Sequence, residues 1–390
     1  MSRNPRLLTG LCYAAMMSLA IGLNLLPVFL NSLRHSFGTT LLTLEELGRL
    51  GALSFAGLCL GIVATGPFVD RWGPKLFVQI GNALIAISLT GMIFVPSYAA
   101  LGFAVFVLGL GAGILDMVLS PVVASLNPDK RSSSMNWLHS FYCVGAVVTI
   151  LAGTVVLQMG WGWRTACLVL LPLPLVLFAA FARMTFPSIV SDEEGRTLLG
   201  TILKEKWFLG AMAAIFLGGA TELGMAQWLP AYAESALGFP QWISGVGLLL
   251  FSVAMAAGRM IVGAFGTKLD PFHTMAWGCS SSVVLFLAGS FLPIYSLALA
   301  ACVLAGFTGS CLWPTMLAVT ADRYPNGGAS MFGRWQHSVM RAASSCPGRW
   351  DGSPAYTTCI SVSRFPLSAP LLMLPLVLGL GRLAHPSRIF

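Results

Sequence analysis

Residues 99–124, AALGFAVFVLGLGAGILDMVLSPVVA, form an almost wholly apolar stretch in which Asp116 is the only charged side chain. A helix needs about 20 mostly apolar residues to cross the roughly 30 Å of hydrocarbon in a bilayer. In hydrocarbon the backbone must satisfy its own hydrogen bonds, so an apolar stretch of this length is predicted to be a membrane-spanning helix. Similar stretches lie at about 7–31, 47–69, 76–96, 135–158, 163–186, 207–232, 241–265, 274–293, 294–320 and 366–381.

The composition excludes a soluble protein. Only 9% of the 390 residues are charged and 56% are hydrophobic, whereas about 25% of the residues in soluble domains are charged. Twelve crossings would use about 240 residues and leave no room for a soluble catalytic domain, so an enzyme is not expected. The net charge of +8 is spread along short loops, and this distribution does not predict a nucleic-acid partner.

Neither a metal nor a cofactor is predicted. The nine cysteines form no C-x-x-C pair and no set spaced with histidines, and most of them lie inside apolar stretches. Such thiols behave as small hydrophobic side chains rather than as metal ligands or disulfide partners. The chain also lacks the pattern G-x-x-x-x-G-K-[ST], so transport driven by ATP is not predicted. The expected partners are the lipid bilayer, a small-molecule solute and a coupling ion.

The order of the stretches predicts an all-α integral membrane protein of two six-helix bundles. Six apolar stretches precede residue 187, and a polar linker at 187–206 separates the bundle at 1–186 from the bundle at 207–390. A weak internal repeat supports this division, since it aligns Val107 with Val303. Parallel repeats of this kind are one transporter architecture, in which the substrate binds between the halves near the membrane midplane.

The eleventh of the twelve predicted helices is atypical. Residues 333–365 should contain it, yet they are polar and carry five charged side chains, namely Arg334, Arg341, Arg349, Asp351 and Arg364. Each charge near the centre of a spanning helix costs about 2.5–3.5 kcal/mol on the insertion scale. A divergent re-entrant segment and a frame error in the gene both account for this segment. The frame error fits the regular flanking stretches better, and it leaves open whether the chain is active.

Basic residues predict the orientation. With the N-terminus in the cytoplasm, the inner connections carry Arg3, Arg6, Arg71, Lys75, Lys130, Arg131, Arg183, Arg196, Lys204, Lys206, Lys268 and Arg323. The outer side keeps only Arg34, Arg49 and Arg164. Because cytoplasmic loops are enriched in Lys and Arg, we expect a multi-pass protein of the cell (inner or plasma) membrane with both termini in the cytoplasm.

Two acidic residues lie well inside apolar stretches, Asp116 in the fourth helix and Glu222 in the seventh. A carboxylate is costly in hydrocarbon, so such residues usually face a cavity and often relay protons. We therefore predict both as proton-coupling residues, although a neutral acid that only bonds a neighbouring helix is the alternative. His139 opens the fifth helix and is a third candidate, because imidazole changes charge near neutral pH; its alternative role is to cap that helix.

Candidate solute ligands surround Glu222 in the sequence. Gln227 and Trp228 follow it on a glycine-rich helix, and a carboxylate, an amide and an indole together suit a polyhydroxylated ligand. The alternative for Trp228 is a residue of the membrane-interface belt. Asn24 in the first helix and Trp313 in the tenth are further candidates, and the proline after Trp313 predicts a kink.

Residues 66–75, Gly-Pro-Phe-Val-Asp-Arg-Trp-Gly-Pro-Lys, connect the second and third helices. They resemble the signature G-x-x-x-D-R-x-G-R/K-R/K of the major facilitator superfamily, with prolines as departures at its second and ninth positions. The resemblance implies a cytoplasmic gate formed by Gly66, Asp70, Arg71, Gly73 and Lys75. In the family the aspartate meets the start of the eleventh helix, which is the anomalous segment here. The alternative is that the basic residues only set the topology.

Three shorter motifs narrow the resemblance. Residues 136–146, 219–229 and 306–314 are similar to the fucose permease-like (fucose–galactose–glucose symporter) branch, whose fourth-helix carboxylate matches Asp116. The chain departs from the branch at Ser120, where an Asn is frequent, and it has no acid in its first helix. The resemblance implies proton-coupled uptake of a monosaccharide by alternating access. Coupling to Na⁺, and efflux of a small amphipathic metabolite or drug, stay open as alternatives.

Overall fold

A computed structural model describes residues 4–34, 36, 42–187, 199–325 and 355–384, and nearly all of them are helical. Within those ranges the structure contains no β-strand. The helices are α1 Pro5–Arg34, α2 Leu44–Trp72, α3 Pro74–Phe94, α4 Tyr98–Leu126, α5 Arg131–Gln158, α6 Gly162–Leu170, α7 Pro172–Ala182, α8 Leu199–Ile202, α9 Lys206–Ser235, α10 Gln241–Phe265, α11 Pro271–Phe291, α12 Tyr295–Gly309, α13 Leu312–Arg323 and α14 Ala355–Ala384.

Among the described residues, eleven helical segments are long and apolar enough to cross a membrane. They coincide with the predicted stretches, so the prediction of an all-α integral membrane protein is confirmed. Two of these segments are interrupted: α6 and α7 together form one, and α12 and α13 form another.

The atypical eleventh helix falls largely on residues 333–354, which lie outside the described ranges. The last helix, α14, begins at Ala355, before the apolar stretch predicted from residue 366.

Local sequence explains where several helices begin. Thr43 and Glu46 form a capping box at the start of α2, in which the Thr43 hydroxyl accepts from the Glu46 backbone N–H at 3.2 Å. Ser97 caps α4 by accepting from the Ala100 N–H at 3.3 Å. Such caps satisfy backbone donors that have no partner within the helix.

The described chain forms two compact units. The first unit comprises the described residues of Met1–Asn127 and Phe141–Arg196, and the second comprises Pro128–Ser140, Thr197–Pro325 and α14. The beginning of α5 therefore groups with the second unit. The domain boundaries at 1–186 and 207–390 stay a prediction, and most of the linker at 187–206 lies outside the described residues.

The first unit is organised around α4, which packs against α1, α2 and α3. A Cβ atom added to Gly109 would overlap the carbonyl oxygen of Ser54, and one added to Gly113 would overlap that of Leu58. Backbones of α2 and α4 are therefore in direct contact. Small residues four apart are typical of such close crossings in membranes.

The second unit is organised around α9, which packs against α10, α12, α13 and α14. Gly258 of α10 and Gly306 of α12 bring those two helices together: an added Cβ would lie 2.5 Å from Phe307 O at the first and 2.7 Å from the Phe251 ring at the second. This close approach places the residue after Gly258, which is Arg259, deep in the unit.

Candidate functional site

The second unit contains a buried ion pair between Glu222 of α9 and Arg259 of α10. Their side chains are 6% and 0% exposed, and the guanidinium Nη2 donates to Glu222 Oε2. Trp313 of α13 donates from its indole Nε1 to the same oxygen at 2.9 Å. Removing a single charge from water costs several kcal/mol, and here each charge has the other to compensate it.

Backbone carbonyl groups hold the guanidinium from two further directions. Arg259 Nε donates to Ser310 O at 2.9 Å, and Nη1 donates to His139 O at 3.0 Å. These acceptors lie on α5 and on the junction between α12 and α13. Because neither carbonyl can change its charge, they position Arg259 independently of the protonation of Glu222.

The carbonyl of Ser310 is available because of a proline. In an unbroken helix it would accept from the N–H of the residue four positions later, which is Pro314. Proline has no N–H and opens the helical ladder at that point. Consistently, α12 ends at Gly309 and α13 begins at Leu312, so the kink predicted after Trp313 is observed as a break. The break supplies a hydrogen-bond acceptor to Arg259.

Aromatic and amide side chains complete the cluster. The rings of His139 and Trp313 meet edge to face, with centroids 4.2 Å apart and an interplanar angle of 61°. The Arg259 guanidinium carbon lies 5.6 Å from the centre of the Trp313 ring. Asn136 donates to the Thr315 hydroxyl at 3.0 Å, and its buried Oδ1 has no hydrogen-bond partner among the described residues.

Three predicted site residues, Glu222, His139 and Trp313, are thus brought together. The side chains of Gln227 and Trp228 lie outside those that the structure describes. Arg259 is not among the site residues predicted from the sequence. A signal was available, since it is the only charged residue within 241–265. A lone base in an apolar helix indicates a buried partner, either an acid or backbone carbonyl groups.

The remaining candidates belong to the first unit. Asp116 is buried in α4 with 7% exposure, and one turn further along that helix the Ser120 hydroxyl is buried without a hydrogen-bond partner among the described residues. Asn24 donates to Ala20 O at 2.9 Å and to the Tyr142 hydroxyl at 3.4 Å. The two predicted proton-coupling acids, Asp116 and Glu222, therefore lie in different units.

The gate signature forms the turn between α2 and α3. Gly73 has a φ of +80°, which favours glycine at this position. Lys75 Nζ donates to Ala182 O at 2.8 Å, Asp70 is half-buried and Arg71 is exposed. The predicted partner of Asp70 lies outside the described residues, so its role as a latch stays a prediction.

No group of three or more His, Cys, Asp or Glu side chains within the described ranges could hold a metal ion. The seven cysteines whose side chains the structure describes form no disulfide, and six of them are buried.

The chain belongs to the Major Facilitator Superfamily, whose family model matches residues 8–345. This confirms the predicted family, whose members are transporters, so the protein is a transporter and not an enzyme. It is 27% identical over 288 residues to the cis,cis-muconate transport protein of Acinetobacter baylyi, covering 70% of this chain and 67% of that protein. The gentisate transporter of Corynebacterium glutamicum is 26% identical over 307 residues, covering 73% and 67%.

The solved structure of the fucose:proton symporter of E. coli superposes with a TM-score of 0.78, covering 98% of this chain and 99% of that one. At 15% sequence identity, this likeness concerns the fold.

Proposed function

We propose that the protein is a proton-coupled uptake transporter that moves a small polar solute by alternating access, with Glu222, Arg259 and Trp313 as its central solute-binding residues. The observation that carries the proposal is a carboxylate, a guanidinium and an indole N–H buried together in membrane-spanning helices. Ionisable groups inside a membrane are expensive and mark solute or ion pathways. The proposed setting is the cell membrane, with both termini in the cytoplasm.

Proton coupling is proposed to run through Asp116 and Glu222, with His139 as a further proton-binding group. Both acids are buried in helices of the membrane-spanning set, and a carboxyl group there can exchange a proton with an aqueous pathway. A sodium-coupled transporter would not need either acid to change its protonation. Coupling to protons and coupling to sodium can therefore be distinguished by imposing each ion gradient alone.

A monosaccharide is the first solute class. The Trp313 ring can cover the apolar face of a sugar while the Glu222 carboxylate accepts from its hydroxyl groups. Gln227, Trp228 and Asn24 are proposed as additional ligands. The shared fold with the fucose:proton symporter supports this class.

A small organic acid is the second solute class. Arg259 favours it, because guanidinium groups recognise carboxylates. The two relatives named as transporters of cis,cis-muconate and gentisate, which are themselves carboxylic acids, support this class.

The test is uptake into proteoliposomes that contain the purified chain. A pH gradient, a sodium gradient and a pH gradient collapsed by a protonophore are compared, with labelled hexoses and labelled benzoate as solutes. For one proton per neutral solute, each pH unit supports up to about tenfold accumulation. Accumulation that follows only the sodium gradient would contradict the proton assignment, and solute export in the same assay would favour efflux.

Variants assign the coupling residues. We expect Asp116→Asn and Glu222→Gln to lose gradient-driven accumulation, because neither amide binds a transferable proton. The matched control is Asp129→Asn, which changes an exposed acid between α4 and α5. If both buried variants accumulate solute to the same level as this control, the coupling assignment is wrong.

A further inference from the structure

We propose that the transported solute carries a carboxylate, which takes the place of the Glu222 carboxylate on Arg259 and Trp313 while Glu222 binds the coupled proton. This inference rests on the proposed function and decides between its two solute classes. It follows from the way in which the buried cation is held and from the balance of charge in the cluster.

Arg259 is a fixed cation and Glu222 is its exchangeable partner. The hydrogen bonds from Nε to Ser310 O and from Nη1 to His139 O are 2.9 and 3.0 Å long. Both acceptors are main-chain groups, so they stay in place whatever the charge of Glu222. The guanidinium therefore keeps its position when the carboxylate is protonated.

The bonds that Glu222 receives are ones that any carboxylate can accept. Its Oε2 accepts from the Arg259 guanidinium and from the Trp313 indole at 2.9 Å. Both donors belong to side chains, and neither requires the acceptor to be part of α9. A diffusible carboxylate that reached this point would meet the same two donors, and hydrogen bonds to charged groups are the stronger ones.

Charge balance then links the solute to the proton. Without solute, the cationic Arg259 and the anionic Glu222 sum to zero. With the solute carboxylate bound and one proton on Glu222, the sum is again zero, so one anion and one proton enter together without net charge. A neutral hexose lacks this property, because it brings no negative charge to replace that of Glu222 beside the buried guanidinium once Glu222 is protonated.

The two partly loaded states are each disfavoured. The solute anion without the proton would place two carboxylates beside one guanidinium, and like charges at such a distance repel. The proton without the anion would remove the negative charge of Glu222 from beside the buried Arg259. The cluster therefore favours the empty and the fully loaded states, as coupled transport requires.

The elements next to the pair carry further charged or titratable groups. His139 of α5 contacts Trp313 through its ring. The described charged and titratable side chains on the elements that pack against α9, with Cys311 at the junction before α13, are Arg259, Tyr295, Cys302, Cys311, Asp322, Arg323 and Arg382. Among them only Arg259 is paired with Glu222, and His139 is the competing site for the proton.

The first experiment measures binding and proton uptake together, with the full chain purified in detergent and a pH-indicator dye in weak buffer. The carboxylate probes are acetate, benzoate and D-galacturonate, and the matched neutral probes are acetamide, benzamide and D-galactose. We expect a carboxylate to bind at least tenfold more tightly than its neutral counterpart. We also expect the protein to take up about one proton for each anion that binds. The affinity for the carboxylate then falls as the pH rises, up to about tenfold per unit.

Variants identify where the proton goes. Glu222→Gln resembles the protonated acid, so we expect it to bind the same carboxylate without proton uptake and without pH dependence. His139→Asn should keep the uptake of one proton. If proton uptake persists in Glu222→Gln, or disappears only in His139→Asn, the inference is overturned.

Truncation gives a complementary readout. Glu222→Ala removes the equivalent of an acetate ion beside Arg259, so acetate should restore its thermal stability and acetamide should not. The double variant Glu222→Ala, Arg259→Gln has no cation left to neutralise and should not respond to acetate. A response of equal size in both variants, or none in the single variant, overturns the inference.

Failure of the inference can be distinguished from failure of the proposed function. If D-galactose accumulates under a pH gradient and no carboxylate binds with proton uptake, the proposed function is supported and the inference is overturned. If a carboxylate binds with proton uptake and no solute accumulates in vesicles, the inference is supported and the uptake function is wrong.

Discussion

The two units bury polar groups in different ways. In the first unit, α2 and α4 touch through their backbones at Gly109 and Gly113. Its buried polar side chains are hydroxyls, one amide and Asp116, and no basic side chain is buried with them among the described residues. In the second unit, the carboxylate of Glu222 and the guanidinium of Arg259 are buried as a pair.

This difference separates two acids that look equivalent in the sequence. Glu222 has a buried cation within hydrogen-bonding distance, so its charge is compensated locally. Asp116 lies in a unit whose described interior holds no such cation. We therefore expect charge removal to affect the second unit strongly and the first unit weakly, while steric changes at the glycines affect the first unit.

The largest effect is expected for Arg259→Met. It leaves Glu222 buried without its counter-charge, and breaking a buried pair in this way costs about 3–5 kcal/mol. The matched control is Arg131→Met, whose partner Asp322 is 51% exposed and whose loss should cost about 0–1 kcal/mol. Thermal unfolding in detergent, followed by fluorescence-detected size-exclusion chromatography, measures both. Equal losses would show that the buried pair contributes no more than the exposed one.

The next effect is expected for Gly109→Ala in the first unit. The added methyl group would overlap the Ser54 carbonyl oxygen, and overpacking of this kind typically costs about 1–3 kcal/mol. Gly91→Ala in α3 is the control, because no atom lies within 4 Å of its added Cβ. The same thermal assay compares them. A destabilised Gly91→Ala with an unchanged Gly109→Ala would contradict the close crossing of α2 and α4.

A smaller effect is expected for Pro314→Ala. The restored N–H can donate to Ser310 O and compete with Arg259, so solute binding should weaken by about 0.5–1.5 kcal/mol, the net value of one hydrogen bond. Pro121→Ala, at another proline inside a helix, is the control. Equilibrium binding of the transported solute measures the difference. Unchanged affinity in Pro314→Ala would remove the proposed link between the helix break and the cation.

The smallest effect on stability is expected for Asp116→Asn. An amide has nearly the shape of a protonated carboxyl group, and no basic side chain is buried in the described part of the first unit, so the change should be below about 1 kcal/mol. Glu222→Gln removes one charge of a buried pair and should cost about 3 kcal/mol. Thermal unfolding of the two variants side by side tests the contrast directly. If Asp116→Asn is the more destabilised, the first unit also contains a charge that its surroundings compensate.

The membrane-spanning helices, the family and the rarity of buried acids could all be predicted from the sequence. These are local properties: twenty apolar residues cross a bilayer wherever they occur, and a charged residue inside such a stretch stands out. Residue patterns also indicated Glu222, His139 and Trp313 as candidates, without any sign that they meet.

The grouping of these residues into one site could not be predicted, because it depends on how the helices pack. Arg259 lies 37 positions from Glu222 in sequence and 120 from His139, and no local pattern links helices over such separations. The acceptor on Ser310 depends on a proline four residues later and on the glycine that lets α10 approach α12. Hydrophobicity places helices in a membrane, whereas backbone geometry and close packing select the partner of a buried charge.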